Sequence, residues 1–377
     1  MGGAVVVVAL GSPQGRAQNA VWRQASPTRT IKLPADHVSH PEYGLEWWYY
    51  SGNLDTKNGR RFGYQLTFFR VGVDPHPEGA SRWAVRDLFI AHFAITDVAE
   101  RRHRFAERMN RAGPGWAGAL TDRYHVWNED WSALLDNDGF HRLSANDGQI
   151  SLELRLHQNR PAALHGRNGY SQKGAQPGNA SHYYSLTRMS TSGTLTIDGE
   201  RFDVTGLSWM DHEFGTNFLE PDQRGWDWLA LQLDDGRDLM IYQLRRTDGT
   251  VDPRSSGTLV EPDGRTLPIT VSAAPPIPGS LSGFSMWPLR TWTSPTTKAQ
   301  YPVSWRLQIP DADSNLNVVS VVDQQELATA RSAGVSYWEG AVDVVGRIRG
   351  LETKGRGYLE MTGYAGRPVG HLFSTFR

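Results

Sequence analysis

Residues Thr205 to Arg246 read TGLSWMDHEFGTNFLEPDQRGWDWLALQLDDGRDLMIYQLRR. A strand-like run carrying Trp226 and Trp228 leads through a tight turn at Asp235-Gly236 into a second run through Tyr242, the signature of a β-hairpin. Just ahead of it, Asp211, His212 and Glu213 stand side by side between Trp209 and Phe214. Ionisable groups among aromatics are costly to bury without partners, so the triplet is either a site or a hydrogen-bonded core.

The hairpin has an earlier counterpart. Trp47, Tyr49, Leu54-Asp55, Gly59-Arg60 and Tyr64-Gln65-Leu66 recur in the same order as Trp226, Trp228, Leu233-Asp234, Gly236-Arg237 and Tyr242-Gln243-Leu244. Val204-Thr205-Gly206 and Met361-Thr362-Gly363 form a further pair, each near the end of its half. The repeat predicts two related β domains, each opened by the hairpin and closed by the T-G strand, with the boundary near Asn217–Arg224.

Elsewhere, short runs rich in Val, Thr, Phe, Tyr and Trp are punctuated by Asx-Gly pairs at Asn58, Asp138, Asp147, Asp198, Asp235, Asp248 and Asp263. Phe62–Phe69, Leu88–Thr96, Ile150–Leu156, Gly193–Ile197 and Val318–Val322 are such runs. They predict an all-β, antiparallel chain closed as barrel or sandwich so that few strand edges remain bare. Val98–Arg111 reads as a short amphipathic helix but has few strong apolar positions, which leaves it ambiguous. The loop 158–180, with Arg160, His165 and Arg167, reads as a solvated surface loop or as a lid over a cavity.

A chain of 377 residues with formal net charge −1 can build two cores, and no basic stripe marks it for nucleic acid or an anionic membrane. No run is long and apolar enough to span a bilayer. The run Ala4–Leu10, followed by small residues to Ala20, resembles a secretory leader without its basic start, which predicts export to the periplasm or beyond; a cytoplasmic protein with a frayed tail is the alternative. Cysteine is absent, which excludes disulfides, thiolate metal sites and a cysteine nucleophile.

In an extended segment, Asp211 and Glu213 face one side and His212 the other. A protonated carboxylic acid, a histidine base or a metal ligand could each use the triplet. No second histidine stands at a zinc-ligand spacing, so no metal is expected. Trp226 and Trp228 share one strand face, as do Trp47 and Tyr49, with Glu46 adjacent and Trp48 and Tyr50 on the other face. Such aromatics fill a barrel or leave a slot for an apolar ligand. Beside the acids Glu46, Asp211, Glu213 and Asp227 they favour a lined cavity. No nucleophile elbow, phosphate loop or dinucleotide fingerprint occurs, so hydrolase chemistry is weakly indicated and no cofactor is called for.

Leu45-Glu46-Trp47-Trp48-Tyr49, Trp209-Met210-Asp211-His212-Glu213-Phe214-Gly215, Trp226-Asp227-Trp228 and Tyr242-Gln243-Leu244, with Tyr337-Trp338-Glu339-Gly340 and Gly357 to Tyr364, together resemble the AttH/CrtC superfamily, closer to its AttH branch. The resemblance implies two consecutive lipocalin-like antiparallel β-barrel domains, here 36–218 and 219–377 behind a leader and linker at 1–35. It also implies three candidate functions. The AttH branch is mostly exported and associated with ABC transport systems, which suggests binding of a hydrophobic small molecule, isoprenoid or lipid, or an accessory role in transport. The carotenoid 1,2-hydratase branch adds water to an isoprenoid alkene without a cofactor, and similar fungal proteins are pericyclases. For hydratase-like chemistry, Asp211, His212 and Tyr242 are the candidate catalytic residues; Glu46, Trp47, Trp209, Glu213, Trp226 and Trp228 are the candidate ligand-binding ones. The hydratase pattern has an aspartate two residues after the tyrosine, where this chain has Leu244.

Overall fold

The computed structural model describes residues 22–77, 84–271 and 277–366. The leader read at residues 4–20 lies outside them. Among the described residues there is no α-helix, only two short 3-10 turns, and no helix is long and apolar enough to cross a membrane. Their regular structure is otherwise β, in two sheets of 13 and 11 strands joined by turns and loops.

In each sheet the first strand pairs with the last. Leu45–Thr56 lies between Arg61–Gly72 and the closing strand Glu200–Gly215. Gln223–Leu233 lies between Asp238–Arg246 and the closing strand Leu351–Met361. The first sheet curls almost into a closed barrel, its seam bridged by Arg108 and Asn110 side chains bonded to Asn128 at 3.0 and 2.8 Å. The second curves as a half-barrel. Its edge strand Ser285–Thr293 shifts register around Pro288, which has no N–H to continue a ladder.

The Asx-Gly pairs are turns: Gly59, Gly139, Gly148, Gly199, Gly236, Gly249 and Gly264 all have positive φ. At Asp198-Gly199 both central residues do (52° and 82°), which gives the type I′ geometry that matches strand twist. The ambiguous segment resolves as the strand Arg102–Arg111, paired with Asp87–Asp97, because a short helix with few apolar positions to pack is marginal whereas the ladder extends an existing sheet.

The repeat is real at its start and fails at its end. Trp47, Tyr49 and Leu54 occupy the places of Trp226, Trp228 and Leu233, since Leu54 pairs with Gly206 and Leu233 with Gly355. A Cβ on Gly206 would stand 2.2 Å from the Asn53 carbonyl oxygen, and one on Gly355 2.3 Å from that of Gln232. Gly206 therefore matches Gly355, and the T-G triplets are not equivalent. Nor are the Y-Q-L triplets: Tyr64 pairs with Gly52, whereas Tyr242 pairs with Trp228. The place of Tyr242 is taken in the first sheet by Thr67, opposite Tyr49. An offset of an odd number of residues flips a side chain to the other face, so Tyr64 is in the first barrel's core and Tyr242 outside the second's.

Three apolar layers result. Trp48, Tyr50, Phe62 and Tyr64 fill the first barrel. Leu229, Leu231, Ile241 and Trp338 fill the second. Between the sheets lies a third layer of Tyr49, Tyr183, Trp209, Trp228, Tyr242 and Tyr358, joined by Phe218 and Leu219 from the connecting segment. Equivalent polar side chains stitch it: Asn53 donates to the Gly357 carbonyl at 3.1 Å, and Gln232 to the Ser208 carbonyl at 3.1 Å.

Candidate active site

Because both opening strands are apolar on both faces, one face fills a barrel and the other meets the opposite sheet. Trp47 and Tyr49 thus face Trp226 and Trp228. The rings of Tyr49 and Trp228, equivalent in the repeat, meet edge to face at 5.2 Å. On the closing strands, Asp211 lies opposite Tyr49 and Glu360 opposite Trp228. Asp211 and Glu360 are therefore repeat mates, and the acids belong to the repeat as well as to the junction. Together these residues enclose a cavity of about 120 Å³, completed by Phe69, Lys173, Tyr183, Glu213, Tyr242, Leu244 and Glu339. Tyr242 also lines a larger outer cleft of about 660 Å³ bounded by Ser26, Tyr170, Ser171 and Arg254. The cavity lies between the barrels and not inside one, since the barrel interiors are filled.

Asp211 is held by three donors: Tyr183 Oη at 2.5 Å, Trp209 Nε1 at 2.6 Å and the Ser185 hydroxyl. Burial nevertheless pushes its pKa up to about 7, against those hydrogen bonds and with a contribution from the nearby charge of Glu213. Trp228 Nε1 donates to Tyr183 Oη at 3.1 Å, so the aromatic wall and the acid share one hydroxyl. Glu213 is paired with Lys173 Nζ at 2.6 Å and bonded to Ser181. Burial works against the Lys173 charge, but Glu213 outweighs it and raises the ammonium pKa. The same Nζ lies 4.5 Å from the Tyr242 ring centre, and Tyr242 Oη meets Ser171 Oγ at 3.1 Å. On the opposite wall, Glu339 and Glu360 are cross-strand partners. Burial raises both, helped at Glu339 by the charge of Glu360 and at Glu360 by those of Asp211 and Glu213; Glu360, which accepts from Trp226 Nε1 at 3.1 Å, reaches about 7. Two carboxyl groups thus face an aromatic slot with their protons retained near neutrality.

Of the residues picked from sequence, Trp47, Asp211, Glu213, Trp226, Trp228 and Tyr242 line the cavity. Trp209 stands behind Asp211 and reaches it through its indole N–H. Glu46 and His212 are on the other strand face, inside the first barrel, by the same period of two that puts Asp211 outside. There His212 Nε2 lies 2.9 Å from Glu46, which also bonds His40 at 2.9 Å and Arg70 at 3.1 Å, while Tyr184 Oη links His212 Nδ1 to His37. His40, Glu46 and His212 come close enough together to suggest a metal set. Their facing atoms are already bonded to one another, and the Arg70 guanidinium occupies the place of a cation beside the carboxylate. Asp227 likewise faces away, bonded to Arg245 and Tyr364 at 3.0 Å.

Sequence reasoning missed Lys173, Tyr183, Glu339 and Glu360. Tyr337/Glu339 and Tyr358/Glu360 repeat an aromatic and an acid two apart, a signal that matches Trp209/Asp211. Lys173 had no local signal. It arrives on the loop 158–180, which closes over the cavity, His165 bonding Thr258 of the second sheet at 2.8 Å and Ser185 of the first at 2.6 Å.

Residues 24–364 match the model of a family described as AttH-like. The fold superposes on the crystal structure of a Nitrosomonas europaea protein assigned to AttH, with 33% identity, a TM-score of 0.81 and coverage of 91% of this chain and 100% of that one. It also superposes on kievitone hydratase from Nectria haematococca, at 16% identity and a TM-score of 0.68, covering 91% and 96% of the two chains. A dehydratase, asqC, of Emericella nidulans is 22% identical over 240 residues, which span 60% of this chain and 63% of that relative, less than two thirds of its length.

Proposed function

This chain belongs to the AttH-like family, and we propose that within it the chain is a hydratase- or dehydratase-type lyase whose acid and base are its own side chains. One observation carries this reading: repeat-equivalent carboxyl groups, Asp211 and Glu360, face a single aromatic slot, each with its pKa raised to about 7. A carboxylic acid poised near neutrality can give a proton to an alkene and, once ionised, take one from water. Carbocation character that develops between these steps faces the rings of Trp226, Trp228 and Tyr49, each such contact contributing about 0.5–2 kcal/mol. The hydratase and dehydratase named among the similar proteins support the same direction. Leu244, where the hydratase pattern has an aspartate, lines the cavity as an apolar group, and the carboxyl groups of the closing strands stand in for the missing acid. Simple carriage of a hydrophobic ligand would use the same slot but gives no role to acids kept protonated beside it.

The test is a panel of isoprenoid alkenes, their tertiary alcohols and β-hydroxy carbonyl compounds, incubated in oxygen-labelled water and read by mass spectrometry. Gain or loss of one water, abolished in Asp211→Asn, is expected. Absence of any water exchange across the panel, or undiminished turnover in Asp211→Asn, overturns the proposal.

A further inference from the structure

Glu360 shares its wall of the cavity with two polar groups that the proton transfers so far leave without a role, Glu339 and Tyr49. Glu339 is 2% exposed, yet its Oε1 has no hydrogen-bond partner among the described residues. The hydroxyl of Tyr49, 7% exposed, has none either. The Tyr49 hydroxyl lies within reach of Glu339, with Ser51 also nearby, but neither contact attains the distance and angle of a made hydrogen bond. Both line the cavity, and Glu360 stands directly across from Glu339 in the strand register. Buried polar groups are almost always paired, and a protein that leaves two open on one wall loses stability that a fitting ligand restores. The opposite wall differs: Asp211 accepts on both oxygens from Tyr183, Ser185 and Trp209, and Glu213 holds Lys173 and Ser181 through Oε1.

We infer that Tyr49 and Glu339 form the oxygen pole of the site, where a hydroxyl or carbonyl oxygen of the substrate is bound with its carbon skeleton laid against Trp226 and Trp228. This rests on the lyase reading and gives it a polarity. In the dehydrating direction the Glu339–Glu360 pair gives a proton to the substrate hydroxyl. The C–O bond breaks with its electron pair on oxygen, water leaves, and the proton of the neighbouring C–H passes to Asp211. Hydration runs the same transfers backwards, and solvent returns the proton between the two walls. The substrate class is an oxygenated, otherwise apolar molecule; a cavity of about 120 Å³ is on the scale of a single ring, as cavities of about 150 Å³ hold benzene. Any larger part extends past Tyr242 into the outer cleft.

The experiment compares benzene and phenol as probes, by isothermal titration calorimetry on the full chain. Benzene is expected to bind, and phenol about tenfold tighter, since its hydroxyl completes an unmade hydrogen bond. Tyr49→Phe should leave benzene affinity in place and remove most of the preference for phenol. Glu339→Leu should do the same, and Glu339→Gln, which retains a donor and an acceptor, should keep a part of it. Benzene bound without any preference for phenol, or a preference that survives both Tyr49→Phe and Glu339→Leu, overturns the oxygen pole and leaves the lyase reading standing. Binding of neither probe also overturns the oxygen pole, whereas the lyase reading falls only if no substrate of the panel exchanges water.

Discussion

Replacing Asp211 by asparagine should make the protein more resistant to unfolding at alkaline pH, although it removes a group bonded by three donors. In the folded state the Asp211 carboxyl is raised from its ordinary 3.8 to about 7, chiefly by burial. For an acid shifted upward, the folded form holds its proton more tightly, so stability is intact below about pH 4 and is lost progressively up to about pH 7, after which the loss is constant. At about 1.4 kcal/mol per tenfold change in proton concentration, the full loss is about 4 kcal/mol, of which about 2–3 kcal/mol develops between about pH 5 and pH 8. Asparagine cannot ionise and escapes it. Its amide still offers an oxygen to Trp209 and Ser185, and the lost carboxylate hydrogen bond to Tyr183 costs about 1 kcal/mol at every pH. Guanidinium unfolding of both proteins across that range, followed by tryptophan fluorescence, gives the difference directly. Relative to wild type, the variant should gain about 2–3 kcal/mol from acid to alkaline pH. A difference that does not change with pH, or that widens in wild type's favour, would refute the account of Asp211 as a proton-retaining acid.

His212→Ala should cost about 1–3 kcal/mol, because it takes one hydrogen bond from Glu46, which keeps His40 and Arg70, and leaves a void beside Trp48 inside the first barrel, while the surviving folded protein keeps its turnover; loss of turnover without loss of stability would return His212 to the site. Lys173→Met should destabilise by about 3–5 kcal/mol by leaving Glu213 buried and unpaired, and adding Glu213→Gln should recover most of it in thermal unfolding. Gly206→Ala and Gly355→Ala should each cost about 1–3 kcal/mol and by similar amounts, since each would press a Cβ against the carbonyl of the opposite strand; clearly unequal losses would break the equivalence drawn between the two closing strands.

Much of the architecture was legible in the chain itself. Asx-Gly pairs between alternating runs specify antiparallel hairpins through local sterics, and the hairpin repeat from Trp47 to Asp55 and from Trp226 to Asp234 reports two sheets built alike. The same local physics misled beyond the turn. Y-Q-L and T-G recur as letters, but the loops differ in length, and in a strand an odd offset is a change of face. Tyr64 and Tyr242 are alike in sequence and opposite in environment.

The triplet Asp211-His212-Glu213 shows where the division falls. From sequence alone it follows that Asp211 and Glu213 share a face and that His212 does not, because the period of a strand is two. Which of those faces meets the other sheet cannot be read from the strand, since its partner Leu45–Thr56 is aromatic on both sides. Only the packing of one sheet on the other decided it: His212 went into the first barrel with Glu46, and Asp211 into the layer between. The same packing brought Lys173, Glu339 and Glu360 to the cavity across separations that no local pattern spans. Burial, which pushes these carboxyl groups up towards neutrality, is a property of that layer and not of any segment, so the chemistry of the site exists only once the two sheets have met.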